Sequence, residues 1–332
     1  MTTSTMPALA ERTLADVLAR VQPGLHGVEA KMRETPLAQH EALSHALDHL
    51  LAAGGKRVRP AVTLLAAGLF RAPLPRATAL AAAVEMLHTA TLVHDDLVDG
   101  SLLRRGHPTL NAQWSPAATV LAGDFLFARA AELAAQAESI PVMSAFSRTL
   151  MIIVNGELTQ MFTHRGQASR DGYFERIYGK TASLFEVAAF APALLADAPP
   201  AAVEAMRTFG RQAGMAFQIV DDILDFTSDE NRLGKPAGSD LRQGLITLPV
   251  LCYLEAAPGD ADVAELLNGH AGDAGRVGRV VQAVRQSGAA EAALAEARAF
   301  VASAQAALAT VPDNPDRQAL SDLAELFVTR SL

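Results

Sequence analysis

Residues 94 to 99 are His94-Asp95-Asp96-Leu97-Val98-Asp99, and a later stretch, Val220-Asp221-Asp222-Ile223-Leu224-Asp225, repeats the same spacing of acids. Both stretches have the apolar periodicity of an α-helix. Residues four apart share one face of a helix, so each stretch places its first and last aspartate on the same side. Paired carboxylates are hard oxygen ligands of the kind that Mg²⁺ prefers. The sequence therefore predicts two helical half-sites for a divalent cation.

The alternative for either stretch is a solvated acidic helix face. A single copy decides little, because an acidic chain contains such a pattern by chance often enough. Here the preceding residues, Thr91-Leu92-Val93 and Phe217-Gln218-Ile219, are largely apolar, so the acids follow positions expected in a core. Clustered acids at such positions are costly without a cation. We therefore interpret the pair as metal ligands.

The composition favours one large helical body. Of the 332 residues, 50% are hydrophobic and only 5% aromatic, and alternating β-branched runs are scarce. Length alone suggests about two domains, but we expect a single domain over residues 1–332. The net charge of −8 argues against nucleic acid as a partner.

Cysteine content and hydropathy bear on the location of the protein. Cys252 is the only cysteine and lies in an apolar run, which predicts a buried thiol and fits a reducing compartment. No long apolar stretch is free of charges, and Met1 to Val21 lacks the pattern of a signal peptide. We expect a cytoplasmic protein without a transmembrane segment.

Basic residues in this acidic chain indicate local anion sites. Lys56-Arg57-Val58-Arg59-Pro60 follows Gly54-Gly55 at the start of a predicted helix, whose first turn favours an anion. Arg104-Arg105 follows the first acidic stretch, and guanidinium groups match a diphosphate in shape. Lys180-Thr181 lies inside a predicted helix, and Gly234-Lys235 lies in a loop. A solvated basic turn, neutralisation of nearby acids and a plain loop stay open as alternatives.

His88 lies seven residues before Asp95, two turns away on a similar helix face. It is either a buried core histidine or a donor to a substrate phosphate. Glu85 and His88 also form a Glu-x-x-His pair of the kind found in di-iron bundles. No second pair follows in the sequence, so that alternative is disfavoured.

Periodicity and turn residues together predict the helices. These are expected over residues 12–34 with an interruption near Pro23-Gly24, 40–53, a segment ending at Phe70, 76–99, 121–137, 142–160, 173–196, a segment reaching the second acidic stretch, and the Ala-rich region beyond Ala256. A turn is expected over residues 197–203.

The motifs in chain order are Gly54-Gly55-Lys56-Arg57-Val58-Arg59-Pro60, His88 to Asp96 with Arg104-Arg105-Gly106, Lys180-Thr181, and Gln218 to Asp225 followed by Gly234-Lys235. In this combination they resemble the trans-prenyltransferase, or polyprenyl synthetase, family. The resemblance implies an all-α bundle around a deep cavity, with the two acidic helices facing each other. It also implies a homodimer, with the helices of about residues 8–53 at the contact, and head-to-tail condensation of isopentenyl diphosphate with an allylic diphosphate such as farnesyl or geranylgeranyl diphosphate.

The resemblance also implies roles for particular residues. The implied catalytic ligands of Mg²⁺, about three ions per site by this analogy, are Asp95, Asp99, Asp221, Asp222 and Asp225. The implied contacts to the allylic diphosphate are Arg104, Lys180, Thr181, Gln218 and Lys235, with Lys180 also counted as catalytic. The implied contacts to isopentenyl diphosphate are Lys56, Arg59, His88 and Arg105, and their close neighbour Arg57 is also counted among the substrate-binding residues.

Product length is expected to depend on residues below the first acidic stretch. Leu87, Ala90 and Thr91 lie roughly 6 to 12 Å before Asp95 along a helix. Small residues at the upper positions resemble long-chain synthases, so we expect a product of about seven to ten isoprene units, octaprenyl first, for quinone side chains. Such a product is compatible with release at a membrane surface. An Ala90→Phe variant is expected to give a shorter product.

Three other functions are weighed against this interpretation. A short-chain farnesyl or geranylgeranyl diphosphate synthase shares all the motifs. A class I terpene cyclase shares the first motif but usually replaces the second acidic stretch, which is present here. A non-catalytic partner subunit typically loses one acidic stretch, and this chain has both.

Overall fold

The computed structural model describes residues 13–34, 40–52, 54–104, 106–162, 169–227, 237–268 and 273–329. Of these residues 81% are helical and very few are in strands, so the all-α prediction is confirmed. The helices are α1 Leu14–Ala19, α2 Gln22–Arg33, α3 Glu41–Ala52, α4 Val58–Phe70, α5 Leu74–Val98, α6 Leu110–Gln113, α7 Pro116–Ala135, α8 Ile140–Phe162, α9 Arg170–Ile177, α10 Ser183–Leu195, α11 Pro200–Thr227, α12 Ser239–Arg242, α13 Leu248–Ala256, α14 Ala261–Leu267, α15 Ala274–Gln286, α16 Ala289–Leu308 and α17 Pro315–Thr329. A π-helical turn, Tyr178–Ala182, joins α9 to α10. Strands β1 Leu103–Arg104 and β2 His107–Pro108 form a short antiparallel hairpin.

Local sequence explains where several helices begin and end. Thr13 and Asp16 form a reciprocal capping box at the start of α1. Ser115 caps α7, with Pro116 at its first position, and Ser169 caps α9. Gly54, at φ +71°, follows α3 in the left-handed conformation expected from its sequence.

The chain divides into two compact units. The first comprises Met1–Arg148, Val187–Arg207 and Ala307–Leu326, and it carries the first acidic stretch. Its central helix is α5, which packs against α2, α4 and α7 and is buried along most of its length. A run of small alanines on α5 permits this close packing on several sides, since each alanine occupies little volume.

The second unit comprises Thr149–Glu186, Thr208–Ala306 and Phe327–Leu332, and it carries the second acidic stretch. Phe185, Phe217 and Phe327 form an aromatic cluster with ring centroids 5.1 to 5.9 Å apart. Edge-to-face contacts of this kind stabilise a core beyond simple burial. The prediction of one domain over residues 1–332 stays a prediction.

Some local predictions differ from the structure in detail. The segment expected to be helical over residues 173–196 is helical, but a π-helical turn separates α9 from α10. The interruption expected near Pro23-Gly24 lies instead between α1 and α2, because Pro23 falls in the first turn of α2, where proline is tolerated. The turn expected over residues 197–203 is shorter, because α11 begins at Pro200, where proline suits the first helical turn. No helix in the described part of the chain is long and apolar enough to cross a membrane.

Candidate active site

In the first unit, α5 presents one accessible stripe that includes the first acidic stretch. Asp99 is exposed, and Asp95, Thr91 and His88 are half-buried at a spacing of three to four residues. Leu87, one residue below His88, is 0% exposed. The stripe therefore runs from Asp99 down to His88 and ends there.

Ala90 differs from its predicted partner Thr91. It is 0% exposed and packed within the unit, whereas Thr91 keeps accessible surface and donates its hydroxyl to the His88 carbonyl at 2.8 Å. Of the three positions expected to set product length, Thr91 is thus the one on the accessible stripe, whereas Ala90 and Leu87 are fully buried.

The middle aspartate of the first stretch has a structural partner. Arg104 Nε donates to both carboxylate oxygens of Asp96 at 3.0 Å, and Arg104 Nη2 lies 2.8 Å from Oδ1. Asp96 is buried, so the charged pair ties the hairpin to the end of α5. The predicted contact of Arg104 with substrate stays a prediction, and its guanidinium retains partial exposure.

His94 docks the first acidic stretch against α7. Its Nε2 lies 3.2 Å from the Val120 carbonyl oxygen and 3.6 Å from Asp124 Oδ1, and its ring centroid lies 5.0 Å from that of Phe127. The ring occupies the space left by Gly123, where a Cβ would come within 2.3 Å of Nε2. The helix turn that carries Asp95 therefore packs against α7 at Gly123, where there is no side chain to exclude the His94 ring.

The basic segment Lys56 to Arg59, which includes the first residues of α4, places its three cationic side chains in different environments. Lys56 is exposed and Arg59 half-buried. Arg57 points inward, donating to Glu29 Oε1 at 3.2 Å and to Glu85 Oε1 at 2.9 Å. Because Glu85 is paired in this way, the structure gives no support to a di-iron role for the Glu85–His88 pair.

In the second unit, Lys180 and Thr181 lie on the π-helical turn. The turn is packed closely on α8, because Gly179 and Gly156 face each other and a Cβ on Gly156 would lie 3.3 Å from the Gly179 Cα. Lys180 Nζ is exposed and lies 3.1 Å from Glu157 Oε1. A π-helical turn is frequent at functional sites, since the inserted residue redirects side chains.

A chain of hydrogen bonds links this turn to the second acidic stretch. Thr181 Oγ1 donates to Gln218 Oε1 at 2.6 Å, and Gln218 Nε2 donates to Asp222 Oδ1 at 2.8 Å. Tyr173 donates its hydroxyl to Asp222 Oδ2 at 2.7 Å. Both oxygens of Asp222 are therefore hydrogen-bonded inside the unit.

Asp225 holds the residues that follow the second stretch. Its Oδ1 accepts from the backbone and side chain of Ser239, and its Oδ2 accepts from the Asp240 amide. Burial is the main cause that raises the pKa of both Asp222 and Asp240 above the ordinary value, and neighbouring carboxylates add to it. The positive charges of Arg176 and Lys180 oppose the shift at Asp240.

The donor set suits a divalent cation, although the described residues contain no group of three or more His, Cys, Asp or Glu arranged as a metal site. Asp95 and Asp99 are at least partly accessible and supply oxygen donors four residues apart, and Asp221 is exposed. A cation bound beside these carboxylates would oppose the rise in the pKa of Asp222 and Asp240 that burial and neighbouring carboxylates cause. The metal assignments for these aspartates stay predictions.

Sequence patterns did not identify several residues that shape these two regions. Tyr173, Arg176, Gly123 and Asp240 belong to no motif, and only the position of Asp240 just beyond a glycine-containing loop gave a faint signal. Arg105 and Lys235, both predicted to bind substrate, lie outside the described residues.

Residues 40–284 match the model of the polyprenyl synthetase family. The chain is 38% identical over 317 residues to an all-trans-nonaprenyl-diphosphate synthase (geranyl-diphosphate specific) of Rhodobacter capsulatus, covering 95% of this chain and 97% of that protein. It is 36% identical over 296 residues to a short chain isoprenyl diphosphate synthase of Methanothermobacter thermautotrophicus, covering 87% and 91%. The crystal structure of a Caulobacter crescentus polyprenyl synthase, complexed with calcium and isoprenyl diphosphate, superposes with a TM-score of 0.90 at 38% identity, covering 96% and 98%.

The fold and these residues define a class of protein: an all-α enzyme with two acidic helix turns, each accompanied by basic residues. The chain belongs to the polyprenyl synthetase family. It is a prenyltransferase, a trans-prenyl diphosphate synthase, as its motifs predicted.

Proposed function

We propose that the protein joins isopentenyl diphosphate head-to-tail to an allylic diphosphate and repeats the step to a long chain. The accessible stripe of α5 carries this proposal. Below Asp95 it carries Thr91, and α5 contains no Phe, Tyr or Trp. A growing apolar tail that leaves the acids along this helix would therefore meet no bulky aromatic side chain from α5.

The proposed residue roles follow the charges of the two units. Asp95 and Asp99 in the first unit, with Asp221 in the second, would hold Mg²⁺ on the allylic diphosphate. Asp222 and Asp225 were also predicted as ligands, and the hydrogen bonds to their oxygens support a role in holding the second stretch in place. Bound Mg²⁺ would supply positive charge that stabilises the departing diphosphate.

The chain's own groups then prepare the reaction. Lys180 and Thr181, with Arg104, would bind the oxygens of the allylic diphosphate, on which negative charge grows as the C–O bond breaks. Lys56, Arg59 and His88 would bind isopentenyl diphosphate and orient its double bond towards the allylic carbon. A new C–C bond forms from that double bond, and loss of one proton generates the new alkene. Apolar surroundings would keep water from the cationic carbon.

A long-chain and a short-chain product are both compatible with the relatives, because a nonaprenyl and a short chain synthase each match most of this chain. We favour about seven to ten isoprene units, with octaprenyl the first expectation, because α5 places no Phe, Tyr or Trp below the acids to block a long tail. A short-chain farnesyl or geranylgeranyl product is the alternative.

The experiment is incubation of the purified protein with Mg²⁺, labelled isopentenyl diphosphate and one allylic primer at a time. Geranyl, farnesyl and geranylgeranyl diphosphate are compared, and products are sized by mass after removal of the diphosphate. We expect long-chain alcohols, and omission of Mg²⁺ should abolish them. Products that stop at about four isoprene units with every primer would establish the short-chain alternative.

A homodimer is part of the proposal. On α8, Met151, Val154, Leu158 and Met161 form an exposed apolar stripe, a kind of surface that often marks a protein contact. The contact predicted for the N-terminal helices stays a prediction, as does a cytoplasmic location. Light scattering coupled to gel filtration measures the mass in solution and decides between monomer and dimer.

A further inference from the structure

Lys56, Arg57 and Arg59, the three cations of the basic segment at the start of α4, differ in their exposure to solvent. Lys56 is exposed and Arg59 is half-buried, while the side chain of Arg57 is only 11% exposed. Arg57 has a left-handed backbone, at φ +48° and ψ +35°, just before α4 begins. A non-glycine residue in this conformation is uncommon and costs free energy, so the surrounding contacts must hold it there. Arg57 thus combines a strained backbone with a side chain that is more buried than that of Lys56.

The Arg57 guanidinium joins three helices of the first unit. It donates to Glu29 on α2 at 3.2 Å, to Glu85 on α5 at 2.9 Å and to the Leu51 carbonyl of α3 at 3.4 Å. The Glu85 side chain is 6% exposed, so this charge depends on Arg57 for compensation. An ion pair buried to this degree, with a forked donor, has a defined geometry.

Glu85 connects this contact to His88. The two residues are three apart on α5, so they are neighbours on the helix surface. Lys56 and Arg59 flank Arg57 in the chain, and His88 sits one turn from its partner on α5. The Arg57–Glu85 ion pair therefore links the segment that carries Lys56 and Arg59, two proposed ligands of isopentenyl diphosphate, to the helix that carries His88, the third.

We propose that Arg57 is a positioning residue that sets Lys56 and Arg59 at the correct distance from His88, without itself touching substrate. This inference rests on the proposed function, which assigns those three residues to isopentenyl diphosphate. It replaces the prediction that Arg57 belongs among the substrate-binding cations.

The test separates the Michaelis constants for the two substrates. Arg57→Gln and Glu85→Gln are each expected to raise KM for isopentenyl diphosphate by about tenfold or more, because small displacements of binding groups are costly. KM for the allylic primer should change less than threefold. Arg33→Gln is the matched control, since Arg33 pairs with Asp48 on an exposed surface, and it should leave both constants unchanged.

Three outcomes overturn the proposal. A direct substrate contact predicts that Arg57→Gln raises this KM while Glu85→Gln does not. A merely structural role predicts a lower kcat from a smaller folded fraction, with both KM values unchanged. The double variant should raise KM no more than the larger single effect, and additive effects would show that the residues act separately.

Two further variants keep the experiment decisive. If Arg57→Gln does not fold, Arg57→Lys retains the charge but loses the fork, and it should still raise KM for isopentenyl diphosphate selectively. Lys56→Gln tests the underlying site. If it leaves that KM unchanged, the assignment of isopentenyl diphosphate to this segment fails, whereas a raised KM in Lys56→Gln with no effect of Arg57→Lys and Glu85→Gln refutes positioning alone.

Discussion

Replacing Gly123 with alanine is expected to displace His94 and weaken Mg²⁺-dependent turnover. The added Cβ would lie 2.3 Å from His94 Nε2 and 2.6 Å from two ring carbons. To restore ordinary van der Waals contact, the ring must retreat by about 1 Å. Such a retreat would also lengthen the contacts of the ring with Phe127 and with the Val120 carbonyl oxygen, which lie on α7 as well.

The size of the effect follows from the next residue in the chain. Asp95 follows His94 in the chain, so moving the His94 ring away from α7 shifts or loosens Asp95, a proposed metal ligand. A displacement of about 1 Å at a reacting centre can cost on the order of 100-fold in rate. In the free energy of unfolding, alanine is up to about 1 kcal/mol more favourable than glycine within a helix. Overpacking, however, costs about 1 to 3 kcal/mol. We therefore expect a net loss.

The assay is the initial rate against Mg²⁺ concentration, together with urea unfolding. Gly278→Ala is the matched control: Gly278 lies in α15, and a Cβ there meets nothing within 4 Å. It should gain stability and keep the wild-type Mg²⁺ curve. His94→Ala combined with Gly123→Ala should recover stability, because it removes the clash. A Gly123→Ala protein with unchanged Mg²⁺ dependence and unfolding midpoint would refute the reasoning.

Three other outcomes are expected. Thr91→Phe should shorten the product, measured by mass, because the phenyl ring fills the accessible stripe. Ala90→Phe should also shorten the product, but with a stability loss of about 1 to 3 kcal/mol, since Ala90 is fully packed. An unchanged product length in both variants would contradict the model. Asp95→Ala or Asp221→Ala should lose most turnover while unfolding as the wild type does, and near-normal Mg²⁺-dependent rates would disprove the metal assignment. Burial and then Glu296 raise the pKa of Cys252 to about 11, so alkylation at pH 8 should be slow in the folded protein and fast in urea, whereas equal rates would mean an accessible thiolate.

Helices and motifs were largely predictable because they depend on neighbours in the sequence. The i, i+4 spacing of Asp95 and Asp99 requires only that α5 be helical, and the left-handed Gly54 follows from glycine's conformational freedom. The apolar periodicity of the segment ending at Phe70 likewise gave α4, and the chain does end that helix there.

The contacts between distant segments were not predictable in this way. Residues 173–196 have a continuous helical pattern, yet a π-helical turn forms where Gly179 packs against Gly156 on α8. The pairing of Arg57 with Glu85 spans 28 residues, and nothing in the spacing of three neighbouring cations distinguishes the buried one from the exposed ones. Only the tertiary fold does so, and the same holds for Tyr173 and Asp222.

The π-helical turn also preserves the rotational phase of the segment before it. An α-helical residue advances the chain by about 100° around the axis, and residues of the wider π-helical turn advance it by less, so the turn accommodates one extra residue without rotating α9 appreciably. Deleting a single residue between Tyr178 and Ala182 would therefore restore a regular helix and leave Tyr173 facing Asp222. It would remove the widened backbone that carries Lys180 and Thr181. An evolutionary shortening of this turn would thus spare the contacts of α9 and change the positions of these two side chains.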